Sequence, residues 1–360
     1  MIFQIFFRRD FQNVNFYFVD QFDCVKSGPG VFVDNLLKIN QDSGLRIIFV
    51  SHDIKNKAPD RIKLPSIPFN GKIFTFFNMF SYSIAFFFLR LFYPNNKYFV
   101  NSHYLIFFSF WIGKFILFIN DSKAIESKGI GYYLFRIVCK FADKHIFNSK
   151  HHQNKIHNEL NLNVDSFVLN KSVSFNSNFN SKKKLQDPFI ISFMKNDWKF
   201  GNLEKVLDWL EKVENFSFIF RIIGISNPKE NELLYLLNKC TFKERVELYG
   251  VLPNQIVIDL LSESSIFVNF CPHEYFGVAS FESVYSKNLL VTCDDDCGLV
   301  SLMKEFSFGL IVKNEQEFIH LVDKFSHIEW DGKINSDIAN INKNLGYDIF
   351  KNNVKNIFIQ

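Results

Sequence analysis

His273-Glu274-Tyr275-Phe276-Gly277-Val278-Ala279-Ser280-Phe281-Glu282 decides how this chain folds. An apolar run, Ser265-Ile266-Phe267-Val268-Asn269-Phe270, leads into it, and a helical pattern leaves it. The stretch therefore reads as a strand, a turn and a helix N-terminus. The first N–H groups of a helix have no intrahelical partner and sit at the positive end of its dipole, which suits a phosphate. Glu274 on the loop and Glu282 inside the helix flank that terminus, eight positions apart, with Phe276-Gly277 between them. Carboxylates accept hydrogen bonds from hydroxyls, so the arrangement fits a ligand that carries both phosphate and hydroxyl groups.

The same strand-and-helix alternation extends in both directions. Downstream come strands at Leu289 to Thr292 and Gly309 to Val312, a helix at Glu315 to Phe325, and a polar helical tail from Ile334. Upstream, strands are expected at Phe189 to Phe193, Phe216 to Ile223 and Val246 to Tyr249. Helices are expected at Leu203 to Val213, Lys229 to Lys239 and Asn254 to Leu261. A polar linker, Asn170 to Pro188 with Lys182-Lys183-Lys184, separates this half from an earlier one.

The earlier half has strands at Asn15 to Val19, Leu45 to Val50, Tyr98 to Asn101, Phe115 to Ile119 and Lys144 to Asn148. Helical patterns fall at Val31 to Ile39, from Tyr104, at Ile130 to Phe141 and at Lys150 to Leu160. Continuous apolar strands between helices indicate parallel sheets covered on both faces. The expected domains are 1–180 and 181–340, with a helix at 341–360 packing back toward the first.

Composition narrows the class. With 360 residues, two cores are expected. The net charge of +4 is weak, and no basic stripe interleaved with aromatics marks a nucleic-acid binder. The 47 phenylalanines read as drift in overall composition. Six scattered cysteines lack metal-ligand spacing and fit reduced buried thiols, and no signal peptide is read at the start. The Phe-rich segment Ile73 to Tyr93 is interrupted by Asn78, several Ser and Thr, and Arg90. It reads as a buried crossover helix rather than a membrane span, with surface contact on lipid as a middle reading.

The ordered features of the second half, Gly250-Val251-Leu252, Ile266-Phe267-Val268, Glu274-Tyr275-Phe276-Gly277, Glu282 and Leu289-Leu290-Val291-Thr292, resemble the retaining glycosyltransferases of group 1, or family 4. These have the GT-B fold, two doubly wound Rossmann-like domains facing a cleft, and an E-x7-E motif. The resemblance implies transfer of a hexose from a nucleotide-sugar donor to an acceptor hydroxyl on a glycan or lipid carrier, as in O-antigen, capsule or lipopolysaccharide synthesis. It implies a cytoplasmic protein, at times on the inner membrane face.

Residue by residue, the resemblance assigns Glu274 to the donor sugar and Glu282 to the ribose, with Phe276, Gly277 and Val278 as the turn facing the diphosphate. Lys199 matches the family's lysine. Met194 stands where its arginine is expected, with Lys195 beside it as a partial substitute. Gly28 and Gly30 resemble the glycine turn beneath the donor phosphate. Asn120-Asp121 follows a strand where many members have histidine and aspartate, and His103 is a further candidate on the acceptor side. His151, His152 and His157 read as solvated. No Asp-x-Asp pair stands where a metal would be held, so neither metal nor other cofactor is expected. The alternatives are a non-catalytic GT-B nucleotide-binding or scaffolding protein, and another enzyme on the same architecture, such as an epimerase or phosphorylase.

Overall fold

The computed structural model describes residues 16–19, 32, 35–36, 38–39, 47–51, 61–63, 72–101, 113–119, 129–162, 164–172, 188–214 and 218–359. Two compact units result. The first comprises Met1–Lys171 with Phe350–Gln360, and the second Ser172–Ile349.

In the first unit, the described elements are β1 (Phe16–Val19), β2 (Ile47–Ser51), β3 (Arg61–Lys63), α1 (Lys72–Phe92), β4 (Lys97–Val100), β5 (Ile116–Ile119), α2 (Ile130–Phe141), β6 (Lys144–Phe147), α3 (Lys150–Leu160) and β7 (Ser166–Val168). The strands form one parallel sheet in the order β3-β2-β1-β4-β5-β6-β7. Alternation along a strand sends neighbours to opposite faces. Tyr98 and Val100 join a core with α1 and α2, while Phe99 turns to the other face and packs near Phe118, which stacks on Phe32 at 4.4 Å. Ser149 caps α3 by accepting the His152 N–H, and Asn161 ends it in the left-handed conformation.

The second unit continues with β8 (Phe189–Met194), α4 (Leu203–Leu210), β9 (Phe218–Ile225), α5 (Asn231–Asn238), β10 (Val246–Gly250), α6 (Asn254–Glu263) and β11 (Ile266–Val268). It then runs through α7 (Val278–Tyr285), β12 (Leu289–Cys293), α8 (Gly298–Phe306), β13 (Leu310–Val312), α9 (Glu315–Lys324) and α10 (Asp331–Leu345). α11 (Tyr347–Ile359) follows, and its residues from Phe350 onward belong to the first unit.

The sheet order is β10-β9-β8-β11-β12-β13, all parallel. Both faces are covered. Ile266 and Val268 enter one apolar cluster and Phe267 the other, which also holds Phe276, Phe281 and Val284. In such an order the chain reverses direction between the first and fourth strands of the unit, here β8 and β11. Ligands of doubly wound sheets bind outside the carboxyl ends of the strands at that point.

Most elements fall within a residue or two of the sequence-based expectation. The short strands β3 and β7 and the helix α8 were not anticipated. The helical run from Tyr104 and the lysine run at 182–184 lie outside the described residues. Among the described residues, no helix is long and apolar enough to cross a membrane.

Candidate active site

The carboxyl ends of β8 and β11 bring two charges together. Lys195 directly follows β8, and its ammonium pairs with the Glu274 carboxylate on the loop after β11. Both side chains are mostly buried, 12% and 20% exposed. Burial alone pulls the Lys195 ammonium down, but the charge of Glu274 overrides it and the net shift is upward.

Glycine makes room for this lysine. A Cβ on Gly201 would sit 2.6 Å from Lys195 Cγ and 2.6 Å from the Phe193 ring, so the lysine stem runs over bare backbone there. The two loops are also tied directly. Asn202 Nδ2 donates to the Phe270 carbonyl at 3.3 Å, and the Cys271 thiol to the Phe200 carbonyl at 3.2 Å.

Gly277 starts the helix. Its φ of 80° lies in the left-handed region, and a Cβ there would stand 3.2 Å from Glu274 Cγ and from Ser280 Oγ. The N–H groups of Gly277, Val278 and Ala279 find no acceptor among the described residues. Asn269, buried at the end of β11, orients this terminus. Its Nδ2 donates to Ser280 Oγ at 2.8 Å, its Oδ1 accepts the Cys271 N–H at 3.3 Å, and its carbonyl accepts the Thr292 hydroxyl at 2.6 Å. The Phe276 ring turns inward and lies tilted against Phe281 at 4.8 Å, which leaves its backbone at the turn.

The loop is also held from beyond β12. The Leu299 N–H at the start of α8 donates to the Glu274 carbonyl at 2.9 Å. A Cβ on Gly298 would fall 2.3 Å from the Tyr275 carbonyl oxygen, so this helix end lies directly against the backbone that presents Glu274.

Glu282 is partly buried on α7, and its carboxylate has no hydrogen-bond or ion-pair partner among the described residues. Burial pushes its pKa up to about 7. A carboxylate so placed lacks hydrogen-bond donors among the described residues, and hydroxyl groups are of the kind that could supply them.

The other expected residues divide clearly. Lys199 is not brought to Glu274. It is 54% exposed, paired with Glu232 and set over the Trp198 ring. Gly28, Gly30, His103, Asn120 and Asp121 lie outside the described residues. His152 is not solvated but fully buried, with its ring 5.6 Å from that of Phe147. In the acidic run, Asp294 pairs with Lys304 and Asp295 with Lys205. Spacing from the family motif had favoured Lys199. The signal for Lys195 was its position one residue past a central strand, where an apolar run gives way to a charge.

Residues 174–344 match the family described as Glycosyl transferases group 1. The chain has a two-domain Rossmann-like GT-B fold. Solved structures with similar folds include sucrose-phosphate synthase from Thermosynechococcus elongatus, with TM-score 0.80 and 11% identity over 97% of this chain and 99% of the other. WaaG, a glycosyltransferase involved in lipopolysaccharide biosynthesis, gives 0.71 and 11% over 95% and 99%. HepE from Anabaena, in complex with UDP and glucose, gives 0.73 and 12% over 96% and 100%. No curated protein matches the chain in sequence.

Proposed function

We propose that this glycosyltransferase moves a hexose from a nucleoside diphosphate sugar to an acceptor hydroxyl, with retention of the anomeric configuration. The observation that carries this reading is the Lys195–Glu274 pair at the strand reversal, set beside the open N-terminus of α7. The bond from the anomeric carbon to the diphosphate oxygen breaks, and negative charge gathers on the leaving group. Lys195 and the N–H groups at Gly277, Val278 and Ala279 meet that charge with donors already in place, which lowers the barrier without reorganisation. Glu274 receives hydroxyls of the transferred sugar and Glu282 those of the ribose. The acceptor hydroxyl attacks from the face that the diphosphate leaves and gives its proton to the departing diphosphate oxygen, which carries it away.

We assign the diphosphate to Lys195 rather than Lys199, because Lys195 is the lysine that meets Glu274. The transfer is proposed to be metal-independent, so a chelator leaves turnover unchanged. The structure of HepE with UDP and glucose, and that of trehalose-6-phosphate from E. coli bound with UDP-2-fluoro glucose, support a nucleotide-sugar as the kind of donor. WaaG and the lipopolysaccharide outer core galactosyltransferase WaaB support a bacterial surface glycan, on a lipid carrier, as the acceptor.

Thermal unfolding with UDP and GDP, followed by NMR of the product anomer with the nucleotide-sugar that binds, tests the proposal. A rise in Tm with one nucleotide and a retained configuration are expected, because a ligand that binds only the folded state stabilises it. No shift with either nucleotide would favour a non-catalytic scaffold, and an inverted product would overturn the retaining mechanism.

A further inference from the structure

Asn269 directly follows β11 between two core residues, Val268 and Phe270, and is itself buried. Its backbone is held by β12. The N–H donates to the Val291 carbonyl at 3.0 Å, and the carbonyl accepts the Thr292 hydroxyl at 2.6 Å. That leaves the amide group to bond elsewhere. The Cys271 N–H can only donate, so the atom that faces it at 3.3 Å is Oδ1, and Nδ2 is the atom that donates to Ser280 Oγ.

Those two contacts bracket one segment. Cys271 opens the loop that carries Glu274, and Ser280 is the third residue of α7, just past the open N–H groups of Gly277, Val278 and Ala279. An amide is planar and rigid, so the two ends of this segment cannot shift independently while both bonds hold. A further arm leaves from Cys271. Its thiol donates to the Phe200 carbonyl at 3.2 Å, on the loop whose Gly201 lies under the Lys195 stem. Ser280, Asn269, Cys271 and the Phe200 carbonyl thus form one relay that reaches the helix terminus, the Glu274 loop and the Lys195 loop. A buried amide returns little net stability, because its bonds largely offset the cost of taking it out of water. What it adds over an apolar side chain is direction.

We propose that Asn269 is a positioning residue for the transfer reaction. Its amide sets Glu274, Lys195 and the N-terminus of α7 at the separation that a sugar diphosphate needs. The role rests on the transfer reading above and falls to a side chain that does not itself touch the ligand. Cys271 and Ser280 are the two arms through which it acts.

Steady-state turnover well below each variant's Tm tests this, with the nucleotide-induced Tm shift read on the same samples. Asn269→Leu keeps the approximate shape and cuts both arms. Ser280→Ala and Cys271→Ala cut one arm each, and Cys271→Ser keeps a donor for the Phe200 carbonyl. A fall in kcat of roughly tenfold or more is expected for the first three, since small misplacements of a catalytic group are costly, with KM for the donor within about threefold of the parent. Cys271→Ser should stay within about twofold of the parent in both. Ser280→Ala and Cys271→Ala combined should cost less than the product of the two, because both act through one relay. Parental kcat in Ser280→Ala and Cys271→Ala overturns the proposal even where Asn269→Leu does not fold. Losses that track the folded fraction alone, or a Cys271→Ser variant as slow as Cys271→Ala, overturn it too. A parent chain with neither turnover nor a nucleotide-induced shift brings down the transfer reading together with this role, whereas an active parent with unaffected variants removes this role alone.

Discussion

In the proposed reading, Glu282 ties stability to ligand binding within one side chain. Its carboxyl titrates at about 7 in the folded chain, against 4.5 for an ordinary glutamate. The raised value means that folding disfavours the ionised form. Stability from this group is fully present below pH 4.5 and is lost as pH rises through 7, by about 3 kcal/mol at most. Glu282→Gln removes that loss. Urea denaturation should show the variant more stable than the parent at pH 8 and equal to it near pH 4, while its response to UDP or GDP disappears.

The two lysines divide in the same way. Lys195→Ala leaves the mostly buried Glu274 without its cation, which should cost about 1–3 kcal/mol of stability and roughly 100-fold or more in turnover. Lys199→Ala removes an exposed pair and should change stability by no more than about 0.5 kcal/mol. Turnover and denaturation of both variants check this, and the opposite ranking would return the diphosphate to Lys199. The sequence named both glutamates from their spacing. It could not rank the lysines, because that depends on the Gly201 gap and on where β8 stops.

At the level of elements, periodicity placed the helices at 130–141 and 150–160 with their boundaries, the first on apolar spacing alone and the second with a serine cap at its start. It missed α8. The run Asp294-Asp295-Asp296-Cys297-Gly298 reads as a loop, and only the packing of Leu299, Val300, Leu302 and Met303 makes the segment that follows a helix. Strands β3 and β7 are three residues each, too short for an alternation to register. The missed helix matters, since its first turn holds the backbone of Glu274 and Tyr275. Gly298→Ala drives a methyl into the Tyr275 carbonyl, and backbone cannot swing aside as a side chain can. A fall in kcat of roughly tenfold or more is expected, since small misplacements of a catalytic group are costly, with secondary structure by circular dichroism unchanged. Unaltered kcat would mean that α8 does not set the donor loop.

Across the whole molecule the two units should answer acid in opposite ways. Burial holds His145 down to about 4 and His152 down to about 3 in the first unit, against 6.5 for an ordinary histidine. Their contribution is fully present above pH 6.5 and is lost as pH falls toward 4 and 3, several kcal/mol between them. Glu282 in the second unit gains over part of that range. Calorimetry at pH 8 and pH 5 should therefore show the first unit weakening relative to the second, and His152→Leu should shrink the difference. A constant separation between the two transitions would refute this.

Phe350, Val354 and Ile357 of α11 are buried, and the Phe350 ring meets Phe32 edge-on at 5.8 Å. The first unit therefore draws on residues that the ribosome adds only after the entire second unit. At roughly 5–20 residues per second, some 10–40 s separate the emergence of Lys171 from that of this helix. During that interval the nascent first unit has an open apolar slot over Phe32, whereas the second unit has every residue it needs as soon as Ile349 is made. The half of the chain that is made first is thus the half that finishes last, and chaperones have that long to find it.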